Sequence, residues 1–160
     1  MTGKTIQEMI RFFGGDKKRI AHALKVYACA GTIAELENCT AEVKKTVILA
    51  AILHDVGIKV AEEKYGSCTM PQQEEEGPPV AREILLRLGN DPALTDRVCF
   101  LIAHHHHPGA AEDQDFRILL EADFIVNFEE ENLPLCFLEQ TAKEHFRTQS
   151  GLSLLRAIFL

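Results

Sequence analysis

No apolar run in this chain is long enough to cross a bilayer: the longest, Val47–Leu53, falls far short of the roughly 20 residues a spanning helix needs. Nor is there a surplus of positive charge. With 17 Lys and Arg against 24 Asp and Glu the net charge is −7, and no Lys/Arg cluster offers a phosphate backbone a basic face, so nucleic acid is not the expected partner. That balance still permits a small anionic substrate, because a local cation or metal can dominate a cleft. The five cysteines (Cys29, Cys39, Cys68, Cys99 and Cys136) are odd in number, scattered, and include no Cys-x-x-Cys pair, which points to free thiols in a reducing compartment rather than disulfides or a zinc knuckle. The opening "MTGKTIQEMIRFF" lacks the basic-then-apolar order of a secretory signal, so the expected location is cytoplasmic. Internal repeats, long linkers, alternating strand pairs and glycine-rich nucleotide loops are also missing.

What is present is 160 residues with 46% apolar and 26% charged side chains, the balance of one globular domain with a single core, here taken as residues 1–160. Helical periodicity dominates. Ile6, Met9, Ile10 and Phe13 mark a first helix stopped at Gly14-Gly15. Asp16 then caps "KKRIAHALKVYACA", expected to end at Gly31, and Thr40 caps a third helix that leads to His54-Asp55 and ends near Gly57. "GSCTMPQQEEEGPP" (66–79) reads as a polar loop or broken helix, and "VAREILLRLG" as a short helix stopped by Gly89. Asp91 and Pro92 open a helix that runs to Pro108-Gly109. "FRILLEADFIVNF" is another, followed by the acidic turn 129–131; Pro134 opens a last helical region, with a break at Ser150-Gly151. The fold class is all-α.

Four places carry polar residues where a helix should be apolar: His22 between Ile20 and Leu24, His54-Asp55 closing "AAILHDVGIK", the run His104–His107 after "VCFLIA", and Asp123 within "ILLEADFIVNF". Taken singly, each has an ordinary explanation, as a hydrogen-bonded core histidine, a helix end or a solvated loop. A divalent metal gives them one common reason. Neutral imidazole nitrogens and carboxylate oxygens suit first-row divalent ions, and two aspartates balance one M²⁺. Burying Asp55 and Asp123 in an apolar bundle without partners would cost several kcal/mol, and helix bundles place such ligands on separate helices facing a common centre.

The order His22, His54-Asp55, Asp123 on successive helices resembles the HD-domain superfamily of metal-dependent phosphohydrolases. "RIAHALKVYACA", "VILAAILHDVGI", "EEGPPVAREILLRLG", "VCFLIAHHHHPG" and "LLEADFIVNF" follow the family's usual order over about residues 16–128. The resemblance implies an all-α bundle with a metal site between the core helices. One divalent ion (manganese, iron, cobalt, nickel or zinc, with magnesium less suited) would be held by His22, His54, Asp55 and Asp123. It would activate a water against a small phosphorylated substrate, a phosphate ester or nucleotide. Arg19, one turn before His22, and Lys59, just after the motif, are candidates to meet the phosphate.

Some HD enzymes hold a second metal with an extra histidine before "GPPVA" and a histidine pair near "HHHH". Here Gln73 stands in the first of those places and is a poor ligand, so one metal is expected. His104 and His105 are then candidates for substrate contact or proton transfer, expected to face the cleft from a helix C-terminus whose dipole favours the protonated ring. Two alternatives stand beside the hydrolase: a non-catalytic regulatory or ligand-binding HD domain that keeps its metal, and a di-iron HD oxygenase, against which Gln73 argues.

Overall fold

The computed structural model describes residues 2–160, which form nine α-helices and one 3₁₀ turn and contain no strand. Helix α1 (Thr2–Phe13) stops where Gly14 and Gly15 take φ of +59° and +106°, a backbone region that only glycine enters freely. Asp16 caps α2 (Lys17–Leu36), its carboxylate accepting the Arg19 N–H at 3.1 Å. The sequence suggested that α2 ends at Gly31. It runs on to Leu36 because the buried stripe of Val26, Ala30, Ile33 and Ala34 continues through that point, and the chain turns only at Asn38, φ +53°.

Thr40 caps α3 (Ala41–Leu53) by accepting the Val43 N–H. From Leu49 to Leu53 every residue of α3 is buried, so the C-terminal part of this helix is apolar all round and occupies the centre of the bundle, with α1, α2, α6 and α7 packed against the helix. A helix of that kind is where an unpaired polar group would cost most.

Gly57 does not end a helix; it opens α4 (Gly57–Tyr65). Its lack of a side chain answers to packing, since a Cβ there would overlap the Gln73 carbonyl and come within 2.7 Å of the Gly77 nitrogen. This close approach seats α4 on α5 (Met70–Arg87). The stretch read as a loop or broken helix thus divides: residues 66–69 lie outside any helix, and from Met70 it is part of one continuous helix. Thr69 and Gln72 form a capping box at its start, Pro71 falls in the first turn where its missing N–H has no intrahelical partner to lose, and Pro78-Pro79 are accommodated within the helix.

Asp91 caps α6 (Pro92–His104), accepting the Ala93 and Leu94 N–H groups; the helix stops at His104, four residues before Pro108, and His105–His107 form the turn that follows. Helix α7 (Gln114–Glu130) packs along α2 and α3. A 3₁₀ turn (Leu135–Phe137) leads into α8 (Leu138–His145) and α9 (Gln149–Phe159). The break expected at Ser150-Gly151 falls instead at Phe146–Thr148. There Thr148 caps α9 by accepting the Gly151 N–H, and the buried Glu121 carboxylate of α7 accepts the Arg147 and Thr148 N–H groups. All five cysteines are free thiols, and among the described residues no helix is long and apolar enough to cross a membrane.

Candidate metal centre

Three elements of this bundle converge on one point. Helix α2 carries His22, the turn after α3 carries His54 and Asp55, and the middle of α7 carries Asp123. The turn is locked from below by Val56, fully buried, and by backbone hydrogen bonds from Val56 to Leu53 and from Ile58 to Asp55. His22, His54 and Asp123 each offer a ligand atom, all within 4.8 Å of one another. Asp123 Oδ1 is 3.1 Å from His22 Nε2 and 3.4 Å from His54 Nε2, and Asp55 Oδ2 is 3.4 Å from each of the same two nitrogens.

The far side of each ring decides what these nitrogens can do. His54 Nδ1 lies 2.9 Å from the Ala51 carbonyl, which can only accept, so Nδ1 carries the hydrogen and Nε2 presents a lone pair. His22 Nδ1 donates to Glu130 Oε2 at 2.9 Å, and Glu130 is held in turn by Lys25. Carboxylate and carbonyl partners behind a histidine are the usual way to fix the tautomer of a metal ligand. The two Nε2 atoms therefore face each other at 3.2 Å as two acceptors with no hydrogen to share unless one ring is protonated.

The electrostatics agree with that geometry. Burial opposes charging His54, yet the Asp55 and Asp123 carboxylates hold its proton well above the ordinary value, and His22 is raised against burial by its bond to Asp123. Asp55, despite burial, is pulled down to about 2 by His54, and Asp123 is lowered further by His22 and His54. Two carboxylates and two imidazoles in an apolar setting thus demand positive charge at their centre. The donor set of two nitrogens and carboxylate oxygens with fixed tautomers fits a divalent first-row ion.

The other candidates separate. His105 reaches this centre: its ring is buried, its centroid is 5.3 Å from that of His54, and Gln73 Nε2 lies 3.4 Å from its Nε2. Gln73 also donates to Asp55 Oδ1 at 2.5 Å, a contact that the glycine approach of α4 to α5 makes possible. The helix dipole suggested a protonated ring at this position. Burial reverses that at His105, pushing its pKa down to about 4, with His54 and His106 adding to the effect.

The structure does not bring His104 to the four residues. Consecutive helical side chains diverge by about 100°, and His104 instead bonds the Phe100 carbonyl and stacks on the Phe100 ring at 4.4 Å. Lys59 is turned away as well, its ammonium donating to the Phe12 carbonyl at 2.7 Å and lying over the Phe12 ring. Arg19 does line the cleft of about 300 Å³ that opens on His22 and Asp55, though its guanidinium is paired with Glu62 and Asp16.

Three residues of this site were not singled out from the sequence. Lys18 lines the same cleft. Asn127 donates to Asp123 Oδ1 at 3.0 Å, and Glu130 orients His22. For the last two a signal was available: Asp123, Asn127 and Glu130 follow the i, i+4, i+7 spacing of one helix face.

Comparison with known proteins gives the same frame. A search of curated proteins finds no match. The fold is similar to that of a crystal structure described as a predicted HD superfamily hydrolase from an uncultured Thermotogales bacterium, with a TM-score of 0.70 and 22% identity over 96% of this chain and 82% of that one. The HD domain family model matches residues 19–146, a span that runs from α2 past the end of α8 and contains His22, the His54-Asp55 pair and Asp123. The chain belongs to the HD domain family.

Proposed function

We propose that the chain is a metal-dependent phosphohydrolase, a cytoplasmic single domain over residues 1–160, that cleaves a small phosphate ester with one divalent ion held by His22, His54, Asp55 and Asp123. The observation that carries this reading is the pair of bare Nε2 atoms aimed at one point beside two carboxylates, with both tautomers fixed from behind. A divalent ion at that point would polarise a phosphoryl oxygen and lower the pKa of a water enough to make it a nucleophile near neutral pH.

The chain's own residues supply the rest. Lys18 and Arg19 stand in the cleft that opens on His22 and Asp55, where they attract and orient the phosphate. Lys59 has no part in this, since its ammonium is committed to the C-terminal carbonyl of α1. His105, its Nδ1–H tied to the Ile102 carbonyl at 2.7 Å and its pKa lowered by burial, stays neutral and presents Nε2 to the Gln73 amide beside Asp55. His104, stacked on Phe100, is left out of the reaction. The Gln73 amide supports a single ion, because it occupies the space between Asp55 Oδ1 and His105 Nε2 that a second cation would need.

The test is hydrolysis of a panel of phosphomonoesters and nucleotides by protein reconstituted with manganese, iron, cobalt, nickel or zinc. Turnover that a chelator abolishes and that the metal restores supports the reading. Stoichiometric metal with no turnover of any ester would instead favour a regulatory domain that keeps its metal.

A further inference from the structure

Helix α9 runs antiparallel to α2 and packs against both α2 and α7. Its start is tied to the end of α2, where the Ser150 N–H donates to Glu37 Oε1 at 2.8 Å. Its end lies beside Cys29, with the Phe159 ring 4.9 Å from that of Phe128 on α7. The seam between α2 and α7 outlasts the helix that covers it. Where α9 ends, at Ile158 and Phe159, the seam opens into a hollow of about 280 Å³ between Lys25, Ala28 and Cys29 of α2 and Ile125, Val126 and Glu129 of α7.

The inside of this hollow is apolar, and its charges stand at the rim. There Lys25 Nζ donates to Glu129 Oε2 at 2.7 Å, so the α2 wall carries a cation and the α7 wall an anion. Beside the hollow, Ile158 is 49% exposed and Leu160 76%. One face thus holds a recess, the apolar side chains that could fill such a recess, and charges of both signs. That is what a two-fold contact needs, because the same patch must supply both halves. A different partner would need the recess alone. The net charge of −7 opposes the approach of a second copy in general. The Lys25–Glu129 pair makes this rim neutral, and across a two-fold axis it lets Lys25 of one copy meet Glu129 of the other.

We propose that this face is a self-association surface, where two copies meet across a two-fold axis and the Ile158 end of each α9 sits in the α2–α7 hollow of the other. The contact is small, so the dimer is a weak one, with a Kd on the order of 10 µM.

Sedimentation velocity on the whole chain, from about 2 to 500 µM, tests the proposal with wild type, Ile158→Glu, Ala28→Glu and Gln140→Glu. Ile158, Ala28 and Gln140 are all exposed, so none of the three substitutions opens the core, and far-UV circular dichroism checks that helical content is kept. Wild type is expected to pass from the mass of one chain to that of two across this range. Ile158→Glu and Ala28→Glu each place a charge in the contact twice by symmetry, and each is expected to raise the Kd by more than about 30-fold, the scale of an interfacial charge left without a partner. Gln140→Glu adds the same charge on α8, away from the hollow, and is expected to associate as wild type does. Wild type that stays monomeric at 500 µM would overturn the proposal and leave the hollow to a different partner. Ile158→Glu and Ala28→Glu proteins that dimerise as wild type does, or a Gln140→Glu protein weakened as much as they are, would also overturn it.

Discussion

His22 and His54 point their Nε2 atoms at each other across 3.2 Å, and neither has a hydrogen to offer while both rings are neutral. His54 has committed its hydrogen to Ala51 and His22 to Glu130. Two lone pairs at that separation repel unless a cation sits beside them, and the carboxylates of Asp55 and Asp123 complete the demand. In the metal-free protein a proton on His54 meets part of that demand, held there by the two carboxylates, and a divalent ion would meet it with two charges.

Glu130 is the first residue to test by substitution, because it acts through His22. Glu130→Ala removes the acceptor for Nδ1–H and should weaken metal binding by about 10- to 100-fold. Glu130→Gln, which keeps an acceptor oxygen but loses the charge, should lie between alanine and wild type. Competition with a chromogenic chelator measures the series. Equal affinities across all three proteins would show that Glu130 is only a partner for Lys25.

The metal-free protein should depend on pH in a defined direction. His22 and His54 have raised folded-state pKa values, so the stability they contribute is fully present below their ordinary 6.5 and is lost as pH rises through the raised values. Asp55 is lowered from 3.8 to about 2, so its contribution is present above 3.8 and lost as pH falls through about 2. The chelated protein is therefore best supported by this cluster between those two limits. Metal binding needs neutral imidazoles and becomes more favourable as pH rises. Thermal unfolding should show a larger metal-induced rise in Tm at pH 8 than at pH 5.5. The same rise at both values would mean that these histidines do not bind the ion.

Gly57 links packing to the site. A methyl group there collides with the Gln73 carbonyl of α5, so Gly57→Ala should cost about 1–3 kcal/mol of stability and loosen the Gln73–Asp55 contact. Denaturant unfolding reads the cost. A variant as stable as wild type would show that α4 and α5 separate without penalty.

The helical class, the caps at Asp16, Thr40 and Asp91, and the polar residues inside apolar stretches were legible because each is a local signal. What was not legible depended on contacts between elements. The 66–79 stretch looked like a loop or broken helix from its prolines and charges, and the helix that begins within it at Met70 is set by the Thr69–Gln72 box and by the contact of α5 with Gly57. Gly31 looked like a helix end, whereas the buried face of α2 carries on through it. His104 and His105 could not be told apart by composition, and the end of α6 turns one toward Phe100 and the other toward His54.

Metal stoichiometry in the reconstituted 160-residue chain tests the central claim most directly. Elemental analysis after dialysis should find one divalent ion per chain in wild type, and less than about a tenth of that in His54→Ala and Asp123→Ala with helical content retained, because each loses a ligand that no neighbour replaces. Wild type that retains no ion, or variants that retain as much as wild type, would contradict the account.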